Sequence, residues 1–438
     1  MERYLKAFGP VSTEIMIDQA MFGDLDRKVL LSVIQSSGKS VMWAYGTGGS
    51  IANNPAVHQG MIYFGCCDHI FYAIDREGRK AWEFKTNGLI FSSPRIEGGR
   101  IYFGSYDRNF YCLTLEGKLA WKFSAGDSIG SAPEIAEGRI YFGSRDGNLY
   151  CLSLEGKLLW KFRTLAPISD DPVCEGDSVY FSSEEQNFYC VDARTGKLRW
   201  RFPTKGPIVF RKPVLQGNMV VFGSTDNNVY AVDKRTGSLL WRAALQGHPR
   251  SGVTDGKRIY ILSRDHAIYA LSLEGRLAWT FKAENIWIWD PLVHEGILYA
   301  GNGDGNLYAI SDKGELLWKF PANGPIVSVP AVDGDRLYFG CNDCNLYCID
   351  LKGNLVWKFP TSIGTPSPID LDRLGPSQGF RLTVTQVEPL QEEDRYKAQQ
   401  LSVGEGGTSQ YVVKSEYIVQ HKYTKGRKIK SMTSGWGD

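Results

Sequence analysis

Short apolar runs separated by polar turns recur along most of this 438-residue chain. The pattern is clearest in PEIAEGRIYFGSRDGNLYCLSLEGKLLWKF, residues 133–162. There a proline-led segment is followed by Ile-Tyr-Phe-Gly, an Asp-Gly-Asn turn, Leu-Tyr-Cys-Leu, and a Glu-Gly-Lys turn before the tryptophan. β-Branched and aromatic runs between glycine-containing turns predict strands of about five residues. This segment therefore predicts four short strands.

The segment is repeated, and its closing tryptophan recurs at intervals of 38 to 41 residues. These tryptophans are Trp43, Trp82, Trp121, Trp160, Trp200, Trp241, Trp279, Trp318 and Trp357. A four-stranded sheet of this size cannot bury its own faces, so the copies must stack. Radial stacking predicts an all-β fold, a single β-propeller of four-stranded blades with about 39 residues per repeat. A linear β-solenoid is the alternative, although its rungs are usually shorter.

One third-strand position is a tyrosine in every complete repeat. These residues are Tyr72, Tyr111, Tyr150, Tyr189, Tyr230, Tyr269, Tyr308 and Tyr347. This tyrosine, the Glu-Gly-Lys-Leu turn and the closing Trp-Lys-Phe resemble the quinoprotein-like (PQQ-like repeat) propeller family across residues 13–371. That family includes quinone-dependent alcohol dehydrogenases and the lipoprotein propeller of the outer-membrane assembly machine, and the chain resembles the latter more. The resemblance implies the fold and leaves the activity open.

The number of blades depends on the two ends of the repeat region. Eight complete repeats lie between residues 51 and 359, and residues 13–45 align with strands two to four of a further, degenerate repeat. Residues 363–371, IGTPSPIDL, are typical of a first strand. Pairing of the two fragments would close the ring and remove an exposed edge. We therefore expect nine blades closed by the N- and C-terminal strands, with eight as the alternative.

Residues 372–438 break the repeat pattern. The alternating runs RLTVTQV and QYVVKSEYIV predict a β-hairpin appendage. It ends in a basic tail formed by Lys422, Lys425, Arg427, Lys428 and Lys430. Such a tail contacts nucleic acid or acidic lipid, or only improves solubility. Elsewhere the net charge of +2 provides no general attraction for nucleic acid.

The start of the chain lacks the zones of a signal peptide, and no apolar run approaches the roughly 20 residues of a membrane span. We therefore expect a cytoplasmic protein without a transmembrane segment. Nine cysteines are then expected to be reduced thiols. Four of them share one repeat position, where the other complete repeats have alanine, and are expected to be buried: Cys112, Cys151, Cys190 and Cys348.

The best candidate site breaks the repeat where the fold does not require it. The residue two before the first-strand proline is serine in three repeats but Asp170, Arg211, Arg250 and Trp289 in four consecutive ones. The next position adds Asp171, Lys212 and Asp290, and Trp287 lies close by in sequence. We expect these eight residues to form a binding site at the mouth of the central channel. The alternative is a set of structural ions, such as Asp170 paired with Arg211, and tryptophans that only pack.

A second candidate is the cysteine pair Cys66 and Cys67. It is similar to the adjacent cysteines that lie over the quinone in the alcohol dehydrogenases, and that resemblance implies pyrroloquinoline quinone (PQQ) with calcium as cofactors. However, the repeats lack long insertions, and the chain has no recognisable calcium-binding set and no haem-attachment motif. Structural cysteines are the alternative, and we expect no cofactor.

Three further patterns are expected to carry no chemistry. Cys341, Cys344 and Cys348 have a spacing compatible with metal, but they flank a turn and a buried position, so no metal site is expected. The aspartates that recur before third strands are interpreted as turn residues: Asp107, Asp146, Asp226, Asp265, Asp304 and Asp343. Residues 126–130 match the nucleophile-elbow pattern in letters only, because no helix is expected to follow.

The sequence thus favours a non-enzymatic scaffold or complex subunit that binds a protein partner through its channel mouth and its C-terminal appendage. One alternative is a PQQ-dependent oxidoreductase. Another is a small-ligand or glycan sensor that uses the tryptophans and arginines of the mouth.

Overall fold

A computed structural model describes residues 49–287 and 289–361, together with the backbone of strands β1 (Glu14–Asp18) and β2 (Ser40–Tyr45). The described part is all-β and contains eight four-stranded sheets, in each of which the strands pair in sequence order. Neighbouring strands within these sheets are antiparallel, as Tyr141 opposite Cys151 illustrates in the third sheet. None of the described residues belongs to a helix that is long and apolar enough to cross a membrane.

Each sheet is one blade, numbered here from the N-terminus. The strands of blades 1 to 4 are β3–β6 (Ala56–His58, Met61–Gly65, Ile70–Asp75, Lys80–Lys85), β7–β10 (Arg95–Glu97, Arg100–Gly104, Asn109–Thr114, Leu119–Ser124), β11–β14 (Glu134–Ala136, Arg139–Gly143, Asn148–Ser153, Leu158–Arg163) and β15–β18 (Val173–Glu175, Ser178–Ser182, Asn187–Asp192, Leu198–Pro203). Those of blades 5 to 8 are β19–β22 (Val214–Gln216, Met219–Gly223, Asn228–Asp233, Leu239–Ala244), β23–β26 (Pro249–Thr254, Arg258–Ser263, Ala267–Ser272, Leu277–Lys282), β27–β30 (Leu292–His294, Ile297–Gly301, Asn306–Ser311, Leu316–Pro321) and β31–β34 (Ala331–Asp333, Arg336–Gly340, Asn345–Asp350, Leu355–Pro360).

The blades are arranged in a ring with their first strands innermost, since first strands of neighbouring blades contact one another. The second and third strands are buried almost throughout, whereas the fourth strand alternates between exposed and partly buried positions. This gradient follows from the sequence, because the second and third strands carry the continuous apolar runs. The four cysteines at the shared repeat position are buried, as expected.

The tryptophan of each fourth strand joins its blade to the next one. The strand register shifts beside this tryptophan in blade 1, and the same shift recurs in the other seven blades. The indole nitrogen of Trp82 donates a hydrogen bond to the carbonyl oxygen of Leu115 in blade 2 at 2.9 Å. The ring also lies over Gly117, where a Cβ atom would approach the indole to 2.6 Å. The glycine of the Glu-Gly-Lys turn is therefore needed for this docking as well as for its φ of +80°.

The recurring tyrosine and aspartate form a second repeated contact. Tyr150 donates its phenolic hydrogen to Asp146 at 2.6 Å, and the other Oδ of Asp146 accepts the backbone N–H of Asn148. The equivalent tyrosines of all eight blades bond to the acidic residue four positions earlier. The carboxylate thus fixes the turn and anchors the third strand, which agrees with its interpretation as a turn residue.

The ring contains eight blades, and the expectation of nine is not confirmed. Blade 8 docks directly on blade 1: Trp357 donates to the carbonyl oxygen of Arg76 at 2.9 Å, and Tyr72 donates to that of Thr361 at 2.8 Å. The same tryptophan ring lies over the turn glycine Gly78, as in every other pair of neighbours described. The repeated docking contact therefore leaves no place for another blade between them.

The two strands described near the N-terminus do not belong to any of the eight four-stranded sheets. Strands β1 and β2, within the proposed degenerate repeat 13–45, pair with each other in parallel, whereas the blades are antiparallel. Residues 13–45 resemble a repeat in sequence. However, parallel pairing excludes an antiparallel hairpin of the kind found in the blades. The proposed closing strand 363–371, the appendage 372–438 and its basic tail lie outside the described residues.

Candidate functional site

The repeat-breaking residues of blades 4 to 7 lie at the starts of the innermost strands. Asp170 and Asp171 precede β15, Arg211 and Lys212 precede β19, and Arg250 lies within β23. The backbone links three of these blades, since Asp171 N donates to Arg211 O at 2.7 Å and Arg211 N donates to Arg250 O at 3.0 Å. The predicted residues of blades 4, 5 and 6 are therefore adjacent in space.

Blade 6 has a different inner strand from the other blades. Its first strand, Pro249–Thr254, has six residues where the other first strands have three. Gly252 stands where the other repeats have proline, and its backbone pairs with that of Ile261 in the second strand. Because proline has no N–H to donate, its replacement allows this strand to pair over a greater length.

Arg211 is the centre of the charged cluster. Its guanidinium carbon lies 3.5 Å from the centroid of the Trp289 ring, which is a cation–π contact. Its Nε lies 3.9 Å from a carboxylate oxygen of Asp171 and 3.9 Å from one of Asp290. The three charged side chains are only 8 to 13% exposed. At 3.9 Å these contacts are ion pairs without hydrogen bonds. The opposite charges therefore lie close together, but Arg211 Nε donates no hydrogen bond to either carboxylate.

Other members of the predicted set have structural partners. Asp171 also accepts the backbone N–H of Ala132 at 2.6 Å, which clamps blade 4 to blade 3. Asp170 accepts the hydroxyl of Ser182 at 2.9 Å. Lys212 Nζ lies 3.7 Å from a carboxylate oxygen of Glu134 in blade 3. The arrangement thus contains structural ions, but the carboxylates beside Arg211 belong to Asp171 and Asp290 rather than to Asp170.

Two carboxyls of the mouth have strongly perturbed acidity. Burial raises the pKa of Asp170 to about 7, and although the Ser182 hydroxyl opposes the rise, the charge of Glu184 adds to it. Burial also raises the pKa of Asp290 to about 7, against the attraction of Arg211. Both groups therefore change charge near neutral pH.

Trp287 lies apart from the others. It is fully buried, donates its indole N–H to His266 O at 2.9 Å, and packs edge-on against Tyr308 with ring centroids 5.2 Å apart. In the repeat it stands at the position of Ile129 and Ile168, which are also fully buried. Alignment of that position with the isoleucines was the signal that it belongs to the core.

The side of the mouth opposite the charged residues is apolar, and the sequence did not predict this. Residues from blades 1, 2, 7 and 8 form one buried cluster, which consists of Ala52, Cys67, Phe91, Ile286 and Val327. Leu89, Tyr106 and Trp289 pack against it. Trp289 therefore connects the apolar side to the charged side through its contact with Arg211. No single residue of this cluster departs clearly from the repeat pattern. The cluster forms only because closure of the ring brings blades 7 and 8 next to blades 1 and 2.

Of the cysteine pair, Cys67 belongs to this apolar cluster and Cys66 belongs to another buried cluster. All nine cysteines are free thiols, and Cys66 and Cys67 are 0% and 2% exposed. Burial raises the pKa of the Cys66 thiol well above its usual value. A planar quinone stacked over Cys67 would have to displace Phe91 and Ala52, so the residues around the pair do not fit that cofactor.

The described residues also contain no group of three or more histidine, cysteine, aspartate or glutamate side chains arranged to hold a metal ion. Cys341 instead contacts the carbonyl oxygen of Gly324 at 3.1 Å. Cys344 contacts that of Asn342 at 3.9 Å. Both thiols thus contact backbone carbonyl oxygens.

The eight four-stranded blades, docked by tryptophans, define the class of the protein: it is a β-propeller of PQQ-like repeats. The family model described as outer membrane protein assembly factor BamB matches residues 89–170, 145–251 and 225–370, more than half of the chain. The protein belongs to this family. No curated protein matches the chain in sequence.

Solved structures with a similar fold are distant in sequence. BamB from Moraxella catarrhalis is 16% identical, with a TM-score of 0.60, over 68% of this chain and 94% of that one. The computationally designed Ika8 protein is 14% identical, with a TM-score of 0.63, over 70% and 98%. Quinohemoprotein alcohol dehydrogenase from Comamonas testosteroni is 13% identical, with a TM-score of 0.60, over 72% and 76%. At these identities the likeness shows the fold alone.

Proposed function

We propose that this protein is a non-enzymatic scaffold that binds a protein partner through the two-sided mouth of its channel. One observation carries the proposal: Arg211 stacks on Trp289 between two carboxylates that it does not hydrogen-bond, beside a cluster of apolar side chains. An aromatic residue and an arginine in a mixed polar and apolar setting are typical of the centre of a protein interface.

The similarity to BamB supports a role in a protein assembly, since that name describes an assembly factor. The regular blades, which lack inserted loops in the described part, support a scaffold rather than an enzyme. The cytoplasmic location expected from the sequence is part of this proposal, and the nine free thiols are compatible with it.

Affinity capture from the native cell tests the proposal. The double variant Arg211→Ala with Arg250→Ala should lose the partners that the unmodified protein captures. The matched control is Arg201→Ala with Arg242→Ala, which removes two arginines from exposed positions of the fourth strands. Equal capture by all three proteins, with equal melting temperatures, would contradict binding at the mouth.

A quinone-dependent oxidoreductase is the competing function, and no observation at the cysteine pair favours it. Titration of the full chain with pyrroloquinoline quinone and calcium would decide between them. Saturable binding accompanied by alcohol oxidation would overturn the scaffold proposal.

A further inference from the structure

The mouth contains several buried polar atoms without a protein hydrogen-bond partner. Three are N–H donors on the stacked pair: Nε and Nη2 of Arg211 and Nε1 of Trp289. The fourth is an acceptor, Oδ1 of Asp290. Buried polar groups are nearly always paired in folded proteins, and leaving one unpaired is unfavourable. Four such atoms on three contacting residues therefore leave hydrogen-bonding capacity that a ligand group could meet.

The kinds of unpaired atom define the ligand. The donors require a hydrogen-bond acceptor, and Asp290 requires a donor close by. Asp171 and Asp290 both lie 3.9 Å from Arg211 Nε, so an added carboxylate would be repelled by Asp171 and by the ionised form of Asp290. An added ammonium or guanidinium would satisfy Asp290 but leave the three donors unpaired. A neutral group that both accepts and donates meets all of these requirements.

The surroundings specify what accompanies that group. Trp289 packs against the apolar cluster that includes Phe91, and Tyr106 and Leu89 line the same cluster. An apolar side chain next to the neutral group would rest there and bury further surface. The aromatic face of Trp289 thus separates a hydrogen-bonding subsite from an apolar subsite.

We propose that the mouth recognises a carboxamide of its protein partner, from a glutamine or asparagine side chain or from the main chain, with an apolar residue beside it. The carboxamide oxygen accepts from Arg211 and Trp289, and its N–H donates to Asp290. The proposal rests on the proposed function, because it assigns the chemistry of a partner to the same site.

Calorimetric titration of the full chain with short blocked peptides tests the inference. The probe is acetyl-Gly-Leu-Gln-Gly-amide, compared with peptides in which Glu, Lys or Gly replaces Gln. The Gln peptide should bind at least about tenfold more tightly than the Glu and Lys peptides, because its carboxamide pairs the donors and the acceptor without adding charge. Equal affinity of the Gly peptide would assign the carboxamide to the main chain, and weaker binding would assign it to the side chain.

Trp289→Phe is the sharpest variant, since it keeps an aromatic face for Arg211 but removes the unpaired N–H. It should weaken the binding of the preferred peptide by about tenfold. Trp279→Phe is the matched control, because that indole N–H already donates to Asp312 O at 2.9 Å and lies on an outer strand. It should leave peptide affinity unchanged. Melting curves of both variants show whether the fold is intact.

The outcomes separate this inference from the proposed function. Preference for the Glu or Lys peptide, or absence of binding by all four, would overturn the carboxamide inference. If capture of the native partner still depended on Arg211 and Arg250, the scaffold function would stand. If a free sugar bound instead of the peptides and displaced the partner, the mouth would be a glycan site and both would be wrong.

Discussion

Replacing Asp290 by asparagine is expected to stabilise the protein at alkaline pH and to change little at acidic pH. Burial raises the pKa of this carboxyl from 3.8 to about 7, and the charges of Asp171 and Asp170 add to the rise against Arg211 and Lys212. In the unfolded chain the carboxyl ionises near its ordinary value. Between these two values the folded protein retains a proton that the unfolded chain loses, so stability falls as the pH rises through this window.

The size of the effect follows from the width of the window. For each pH unit between the unfolded and the folded pKa, the free energy of unfolding falls by about 1.4 kcal/mol. The two pKa values differ by about three units, so the loss reaches about 4 kcal/mol once the pH exceeds the folded pKa. The Asp290 side chain is 13% exposed, and water that reaches it reduces the cost of the charge. We therefore expect Asp290→Asn to gain about 2 to 4 kcal/mol at pH 8 and close to nothing at pH 4. Asparagine has the shape of the carboxyl but no charge to bury.

Urea unfolding across the range from about pH 4 to about pH 8.5 measures this difference. Asp335→Asn is the control, since that side chain is 80% exposed and pairs with Arg76 at the surface, where an ion pair contributes little. A loss of stability at pH 8 would show that the carboxyl is ionised and favourably paired in the folded protein, and a gain that does not depend on pH would show that folding does not raise its pKa. The account of the charged cluster would then be wrong.

Three other predictions concern the scaffold. Gly117→Ala should lower the free energy of unfolding by about 2 to 4 kcal/mol, because the alanine is strained at a positive φ and its Cβ meets the indole of the preceding blade. Gly98→Ala is the control: its φ is also positive but the space around it is open, so it should cost only about 1 kcal/mol. Chemical unfolding measures both variants. Tyr150→Phe removes the hydrogen bond to Asp146 and should cost about 1 to 2 kcal/mol in the same assay. Titration with a thiol reagent should detect only the partly exposed Cys174 in the folded protein, and all nine thiols after unfolding; disulfides in the native chain would contradict this.

The regular part of the fold was predictable because it is local and repeated. A strand pattern of moderate strength in one repeat becomes decisive when it recurs eight times at a constant spacing. The spacing also located the buried cysteine position and the docking tryptophans. The number of blades was not predictable in this way. Residues 13–45 resemble a repeat in sequence, but the parallel pairing of β1 with β2 is a property of the folded chain that sequence spacing does not encode.

The candidate site was only partly predictable, as two tryptophans illustrate. Trp287 and Trp289 are two residues apart and equally unusual in sequence. One is fully buried beside Tyr308, whereas the other lies in the mouth over Arg211. The repeat position held by isoleucine in other blades distinguishes them. The apolar side could not be predicted, because Phe91 and Val327 are ordinary strand-flanking residues until ring closure brings them together.

The scaffold and the mouth are separable, although not completely. The ring is held by contacts on the outer and middle strands, where each tryptophan docks on the next blade and each tyrosine bonds to the acidic residue of its turn. These contacts are the same in blades with and without charged residues at the mouth, so the mouth can vary while the ring persists. Asp171 is the exception, because its carboxylate lies beside Arg211 and also clamps blade 4 to Ala132 of blade 3. Variants at Arg211 or Trp289 therefore test binding, whereas a variant at Asp171 tests binding and blade packing together.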